Sequence, residues 1–164
     1  MFSSEIEALA AELGQMLLAR GETVTTAESC TGGLIAGAIT EVAGSSAWFD
    51  RGYITYANQA KAAMLDVPMA FIDGLGAVSE PVVAAMAQGA ADGACARWAV
   101  AVSGIAGPTG GSVEKPVGTV WLAWATPYGI TTEKQVFAGS RSEVRAATVY
   151  RALERLVELM KEQA

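Results

Sequence analysis

Segments with the period of a helix and segments with the character of a strand alternate along this chain, and that alternation limits the folds open to it. Ile6, Leu9, Leu13 and Leu17 recur at helical spacing, with Ser4 and Glu7 placed as a capping box and Gly21 as the stop. TVTTAE then reads as a short strand. Residues 31–42 are small and apolar enough for a buried helix, although Gly32, Gly33 and Gly37 each lower its propensity by about 1 kcal/mol relative to Ala. After the turn AGSS, WFDRGYITY (48–56) has strand character and ANQAKAAML (57–65) helical character. Ser79 and Pro81 mark the start of a helix of small residues reaching to about Arg97, with Ser79 placed to cap it. WAVAVS reads as a buried strand, followed by the long Gly- and Pro-rich loop GIAGPTGGSVEKPVG. GTVWLAWAT and GITTEKQVFAG flank PYG as a hairpin. Ser140 and Glu143 make a second capping box, for a final helix with Val144, Thr148, Leu156 and Leu159 on one side. Helices interleaved with strands, plus one hairpin, predict an α/β fold: a three-layer α/β/α sandwich on a mixed, mainly parallel sheet of about five strands. The 164 residues, 52% of them hydrophobic, are read as a single domain over 1–164 with one substantial core.

Composition removes several classes of function. A net charge of -6 argues against a surface built to neutralise phosphates, so no nucleic-acid partner is expected. Cys30 and Cys95 make no disulfide framework, and without histidine or a CxxC pair no metal cluster is recognisable. A reducing, cytoplasmic setting is expected. The N-terminal segment is acidic where an export signal is basic, and no window holds eighteen uninterrupted apolar residues, so no membrane association is expected.

In open α/β sheets, sites gather at the carboxyl ends of strands, and ESCTGG, YANQAK and SGIAGPTGG each follow a predicted strand. Ser29, between strand and helix, fits an N-cap. It also fits a nucleophile on a tight turn, with the N–H groups of Cys30, Thr31 or Gly32 aimed at a developing oxyanion. Cys30 competes as nucleophile, although a small thiol packed under a helix start is ordinarily inert. With no imidazole in the chain, a serine needs another base. A partly desolvated Lys61 with Tyr56 fits that task, as an exposed lysine and a core tyrosine fit the same spacing; Glu28 is a further candidate. The loop from Ser103 to Val113 lacks the GxxxxGK[ST] pattern, but its backbone N–H groups can form an anion-binding concavity. Arg141 and Arg145, in the first turns of the last helix, either extend that attraction for phosphate or form a solvated face.

Four segments, TAESCTGGLIAGAITEVAGSSAWFDRGYITYANQAK, GAVSEPVVAAMAQGA, AVAVSGIAGPTGGSVEKPVGTVWLAWA and FAGSRSEVRAATVYRALERL, together resemble the CinA C-terminal domain family in the right order over nearly the whole chain. Its stand-alone members resemble nicotinamide-nucleotide amidohydrolases, which convert nicotinamide mononucleotide (NMN) to nicotinate mononucleotide and ammonia in pyridine-nucleotide salvage. The resemblance implies a serine, tyrosine and lysine set similar to that of serine β-lactamases, here Ser29, Tyr56 and Lys61. It implies substrate contacts from Glu28, Cys30, Thr31, Gly32, Ser46, Ser103, Gly104, Gly107, Arg141 and Arg145. Two positions depart from the usual pattern: Ala57 stands where members commonly have serine, and Ser103 where they have threonine, so only Ala57 removes a polar group. No metal or organic cofactor is implied, and a homo-oligomer, a dimer first of all, is expected. The family domain also occurs fused to another domain in competence- and DNA-damage-associated proteins, which leaves a non-enzymatic ligand- or partner-binding module as the alternative.

Overall fold

The computed structural model describes residues 1–163 and contains a five-stranded sheet in the order β2-β1-β3-β4-β5. The strands are β1 (Val24–Glu28), β2 (Phe49–Ile54), β3 (Trp98–Gly104), β4 (Thr119–Thr126) and β5 (Gly129–Val136). β1 pairs in parallel with both β2 and β3, while β4 runs antiparallel to β3 and β5 antiparallel to β4. The helices are α1 (Ser4–Arg20), α2 (Leu34–Thr40), α3 (Asn58–Leu65), α4 (Met69–Leu75), α5 (Glu80–Ala94) and α6 (Arg141–Glu162). This is the expected α/β sandwich on a mixed sheet. Among the described residues no helix is long and apolar enough to cross a membrane.

The two faces of the sheet carry different side chains, which decides what packs on each. Trp98, Val100 and Val102 of β3, with Val120, Leu122 and Trp124 of β4, face α1, α2 and α6. Ala99, Ala101, Ala123 and Ala125 face the other way, toward α3, α4 and α5. Alternate residues of a strand point to opposite faces, so one WAVAV run builds a bulky layer and a thin one. Helix α5 also packs tightly on its neighbours: a Cβ at Gly89 would strike the Leu65 carbonyl oxygen at the end of α3, and one at Gly93 would lie 2.6 Å from the Tyr53 hydroxyl of β2.

Four local expectations need correction. Ser3, not Ser4, caps α1: Ser3 has the extended backbone of an N-cap (φ -65°, ψ 157°), and its hydroxyl accepts from the Ile6 N–H at 3.2 Å. Gly32 and Gly33 take left-handed φ values of 57° and 104°, so residues 29–33 form a turn and the helix begins at Leu34. Ser79 occupies the N-cap position of α5, but its hydroxyl donates backward to the Gly76 carbonyl at 2.8 Å and caps nothing. The helix α5 stops at Ala94, where Cys95 turns left-handed at φ 50°, and α4 was not anticipated at all because Pro68, Asp73 and Gly74 obscure its period. Gly21 (φ 64°) and the Ser140–Glu143 capping box terminate and start their helices as read.

Candidate active site

The parallel strands β2, β1 and β3 end side by side, with Glu28 opposite both Ile54 and Val102. From β1 the chain passes through α2 to β2 on one side. It then returns across the other face, through α3 to α5, to β3 on the opposite side of β1. This reversal leaves a crevice beyond the carboxyl end of β1. A cavity of about 290 Å³ lies there, lined by residues that include Ser29, Cys30, Tyr56, Lys61, Ser103, Gly104, Gly107 and Arg141.

Glu28 explains why the turn after β1 holds its shape. Its fully buried carboxylate accepts from the Ile35 N–H at 2.8 Å, the Ala36 N–H at 3.0 Å and the Thr31 hydroxyl at 2.6 Å. Helix α2 has only Gly33 at its N-cap position and no cap from that residue, so a carboxylate from the neighbouring strand satisfies its first N–H donors. Glu28 thus caps α2, fully buried and outside the residues that line the cavity.

Ser29 follows at once, 8% exposed, and its hydroxyl lies 3.0 Å from the amine nitrogen of Lys61. Lys61 is 1% exposed, and its Nζ also donates to the carbonyls of Thr55 at 2.8 Å and Tyr56 at 3.1 Å. Helix α3 begins just after those two residues, and Lys61 sits one turn in, so its side chain folds back over the segment leaving β2. Burial holds the Lys61 ammonium below the ordinary lysine value. Cys30 itself is buried and its pKa is pushed up to about 11 by that burial, which keeps it a neutral thiol.

Tyr56 does not reach Ser29 or Lys61 through its phenol. Only its carbonyl meets Lys61; its side chain is 60% exposed, with its hydroxyl 3.1 Å from Arg141 Nη2. Arg141 also donates to the Gly107 carbonyl at 2.9 Å, which ties α6 to the Gly-rich loop at the cavity rim. That loop is pinned at its base by Ile105 N–H to Thr119 O (2.8 Å) and Gly118 N–H to Ile105 O (2.7 Å). A side chain at Gly107 (φ 84°) would collide with Val117, and one at Gly104 with Val120, so both positions require glycine for the loop to lie flat.

Two expected contacts fall elsewhere. Arg145 lies behind the turn, outside the cavity lining, and donates to the carbonyls of Cys30 (3.1 Å) and Thr31 (3.4 Å). Ser46 is exposed in a short 3-10 turn, Ser45–Ala47, just before β2 begins, at the opposite end of the sheet from the cavity. Neither is placed to touch a ligand in the crevice. Thr31 and Gly32 belong to the turn but not to the cavity lining. Sequence reasoning missed Asn58 and Val78, which do line it, while Thr109 lies in the loop it singled out. Asn58 had a signal, being three residues before Lys61 and on the same side of a helix; Val78 had none. Among the described residues no group of three or more His, Cys, Asp and Glu side chains is placed to hold a metal ion.

The model of the CinA C-terminal domain matches residues 6–160. A protein of Escherichia coli (strain K12) named nicotinamide-nucleotide amidohydrolase PncC is 55% identical over 157 residues, covering 95% of each chain. A Pseudomonas putida protein of the same name is 54% identical over 154 residues, 94% of this chain and 96% of its own. Among solved structures, the competence/damage inducible protein CihA from Agrobacterium tumefaciens superposes with a TM-score of 0.95 at 49% identity, covering 97% of this chain and 98% of that one.

Proposed function

The chain belongs to the CinA C-terminal domain family, and we propose that it hydrolyses NMN to nicotinate mononucleotide and ammonia, with Ser29 as nucleophile and Lys61 as base. The observation that carries this reading is the buried Lys61–Ser29 contact at 3.0 Å. A neutral lysine amine has two N–H donors and one lone pair. The Thr55 and Tyr56 carbonyls occupy the two donors, which leaves the lone pair for the Ser29 O–H. Burial lowers the cost of reaching that neutral state.

Chemistry then proceeds as acyl transfer. Ser29 Oγ attacks the carboxamide carbon as its proton passes to Lys61 Nζ, and the resulting oxyanion takes the N–H of Cys30, which lines the cavity. Collapse breaks the C–N bond, with the Lys61 proton leaving on ammonia, and gives a nicotinoyl ester on Ser29. Water adds to that ester while Lys61 again accepts a proton, and the serine oxygen leaves with that proton returned from Lys61, which yields the nicotinate and restores Ser29 and the neutral amine. Arg141 and the loop around Gly107 and Thr109, which line the same cavity, take the phosphate, the guanidinium supplying the charge. The exposed ring of Tyr56 offers a face to the cationic pyridinium, in place of the buried Glu28. No organic or metal cofactor takes part in these steps.

Ammonia release from NMN tests the reading. The wild-type chain turns over, and a folded Ser29→Ala variant loses at least about 100-fold in kcat, the scale of losing a positioned catalytic group. Binding of NMN without turnover by the wild-type chain would establish the alternative, a ligand-binding module.

A further inference from the structure

Hydrolysis of a carboxamide changes the charge at the reacting carbon: a neutral group enters and a carboxylate leaves. The residues around the cavity decide what becomes of that new charge. Lys61 and Arg141 are the charged side chains among those that line it, and none of the lining residues is acidic. Glu28, although next to Ser29 in the chain, is fully buried outside that lining, with its oxygens on the Thr31 hydroxyl and the N–H groups of Ile35 and Ala36. Helices α4 and α5 pack on α3, and the acids these three helices bring, Asp66, Asp73, Glu80 and Asp92, are exposed, while α5 buries Val82, Val83, Met86 and Ala87. A chain of net charge -6 thus holds a cavity whose own charges are positive.

Lys61 stands where the new charge appears. In the proposed reaction its Nζ protonates the departing nitrogen, and the water that follows puts an oxygen in the place of that nitrogen. One oxygen of the product carboxylate is then at the Cys30 N–H and the other within hydrogen-bond reach of Nζ. As a neutral amine, Lys61 has its two N–H donors on the Thr55 and Tyr56 carbonyls and turns a lone pair toward Ser29. As an ammonium it has a third N–H, which takes the direction of that lone pair, toward Ser29 Oγ at 3.0 Å. The third N–H suits a carboxylate, in a bond about twice as strong as one between neutral groups, whereas the lone pair repels it. The carboxamide of the substrate carries no charge and makes no such demand, and the phosphate at Arg141 is common to both nucleotides.

We infer that the cavity becomes a carboxylate-binding site when Lys61 is charged, so that nicotinate mononucleotide binds more tightly than NMN and restrains its own formation. This inference rests on the proposed reaction at Ser29. Substrate and product call on opposite forms of one residue: turnover needs the free amine, and retention of the product needs the ammonium. Burial favours the free amine while the cavity is empty, and the carboxylate restores the proton by pairing with it. Release of the product is thereby tied to loss of the Lys61 proton, and product inhibition fades as pH rises.

Calorimetric binding of both nucleotides to Ser29→Ala, from about pH 6 to about pH 10, tests this, together with inhibition of wild-type turnover by nicotinate mononucleotide. Titration of the shared phosphate cancels in the ratio of the two affinities. On the acid side nicotinate mononucleotide binds about 10- to 100-fold more tightly than NMN, the scale of one hydrogen bond between ions. Above the Lys61 pKa that advantage falls about tenfold per pH unit, the mark of one proton taken up on binding. In Ser29→Ala/Lys61→Met the advantage disappears and the ratio no longer varies with pH. Should either variant fail to fold, proton uptake by the wild-type chain on binding nicotinate mononucleotide, read in buffers of different ionisation heat, decides the matter. A ratio near one, a ratio that does not fall with pH, or an advantage that survives Lys61→Met would overturn the inference. Ammonia release from NMN with a ratio near one sinks this inference and spares the proposed function. Absent ammonia release removes the proposed function, and the ratio still decides for or against the carboxylate site; a cavity that binds neither nucleotide overturns both.

Discussion

Lys61 carries its amine into the interior with no carboxylate beside it, and that placement has consequences for stability as well as for chemistry. Its folded-state pKa is lowered by burial below the ordinary 10.5, so between the lowered value and 10.5 the unfolded chain binds more protons than the folded one. In that window the folded state gains on the unfolded one as pH rises. Urea unfolding from about pH 7 to about pH 10 should therefore show wild-type stability rising relative to Lys61→Met, a difference expected from linkage. Parallel curves for the two proteins would mean that Lys61 titrates as a solvated lysine. The same deprotonation gives the acid limb of kcat/KM for NMN, since only the neutral amine accepts the Ser29 proton. Cys30, its pKa near 11, is the contrasting case: a buried thiol next to the nucleophile that stays protonated. Native protein should thus react with a thiol reagent such as DTNB at the exposed Cys95 and leave Cys30 untouched until unfolding, and peptide mapping reads which one is modified. Rapid labelling of Cys30 in the native state would reopen it as the nucleophile.

Single elements here depend on residues outside them. Helix α2 spans only Leu34–Thr40 and is capped by Glu28 of β1, seven and eight residues earlier than the N–H groups it accepts. Glu28→Gln replaces an ionic acceptor by an amide that faces donors with half its acceptor capacity. A loss of about 1.5–3 kcal/mol in unfolding free energy is expected, with kcat reduced because the Ser29 turn shares the anchor. Unchanged stability would show that α2 needs no help from the strand. Glycines divide in the same contextual way. Gly74 in α4 has no atom within 4 Å of an added Cβ, so Gly74→Ala should stabilise by about 0.5–1 kcal/mol. Gly89→Ala gains the same helical preference in α5 but pushes into the Leu65 backbone, an overpacking cost of about 1–3 kcal/mol or more that wins. Denaturant midpoints of the two variants should move in opposite directions. Periodicity makes the strands, the hairpin and the long helices legible in the sequence, because each is set by its own residues. Ser3 in place of Ser4, the delayed start of α2 and the unexpected α4 were not legible, since those boundaries rest on backbone angles and on partners distant in the chain.

At the scale of the whole molecule, the cavity is a junction between layers. Lys61 arrives on α3 from one face of the sheet, Arg141 on α6 from the other, and the Gly-rich loop from the end of β3 between them. The three segments bearing Ser29, Lys61 and the loop stood out in the sequence because each follows a strand, and parallel strands deliver such segments to one edge. Which side chains turn inward was not legible. Arg141 and Arg145 look alike four residues apart on one helix, yet one reaches the loop and the other the back of the turn; Ser46 precedes a strand and so lies at the wrong end of the sheet. A ligand that bridges elements from both layers must stabilise the assembly that holds them. In Ser29→Ala, which cannot consume its ligand, NMN at about 100 times its Kd should raise the unfolding free energy by about 2.7 kcal/mol. For a chain of this length that is roughly 5–10 °C in Tm. Nicotinamide riboside, lacking the phosphate, should give a much smaller shift at equal concentration, and Arg141→Ala in the same background should reduce the NMN shift to the riboside's level. An equal shift for both ligands would take the phosphate away from Arg141, and a shift lost on Arg145→Met would give it to the other arginine.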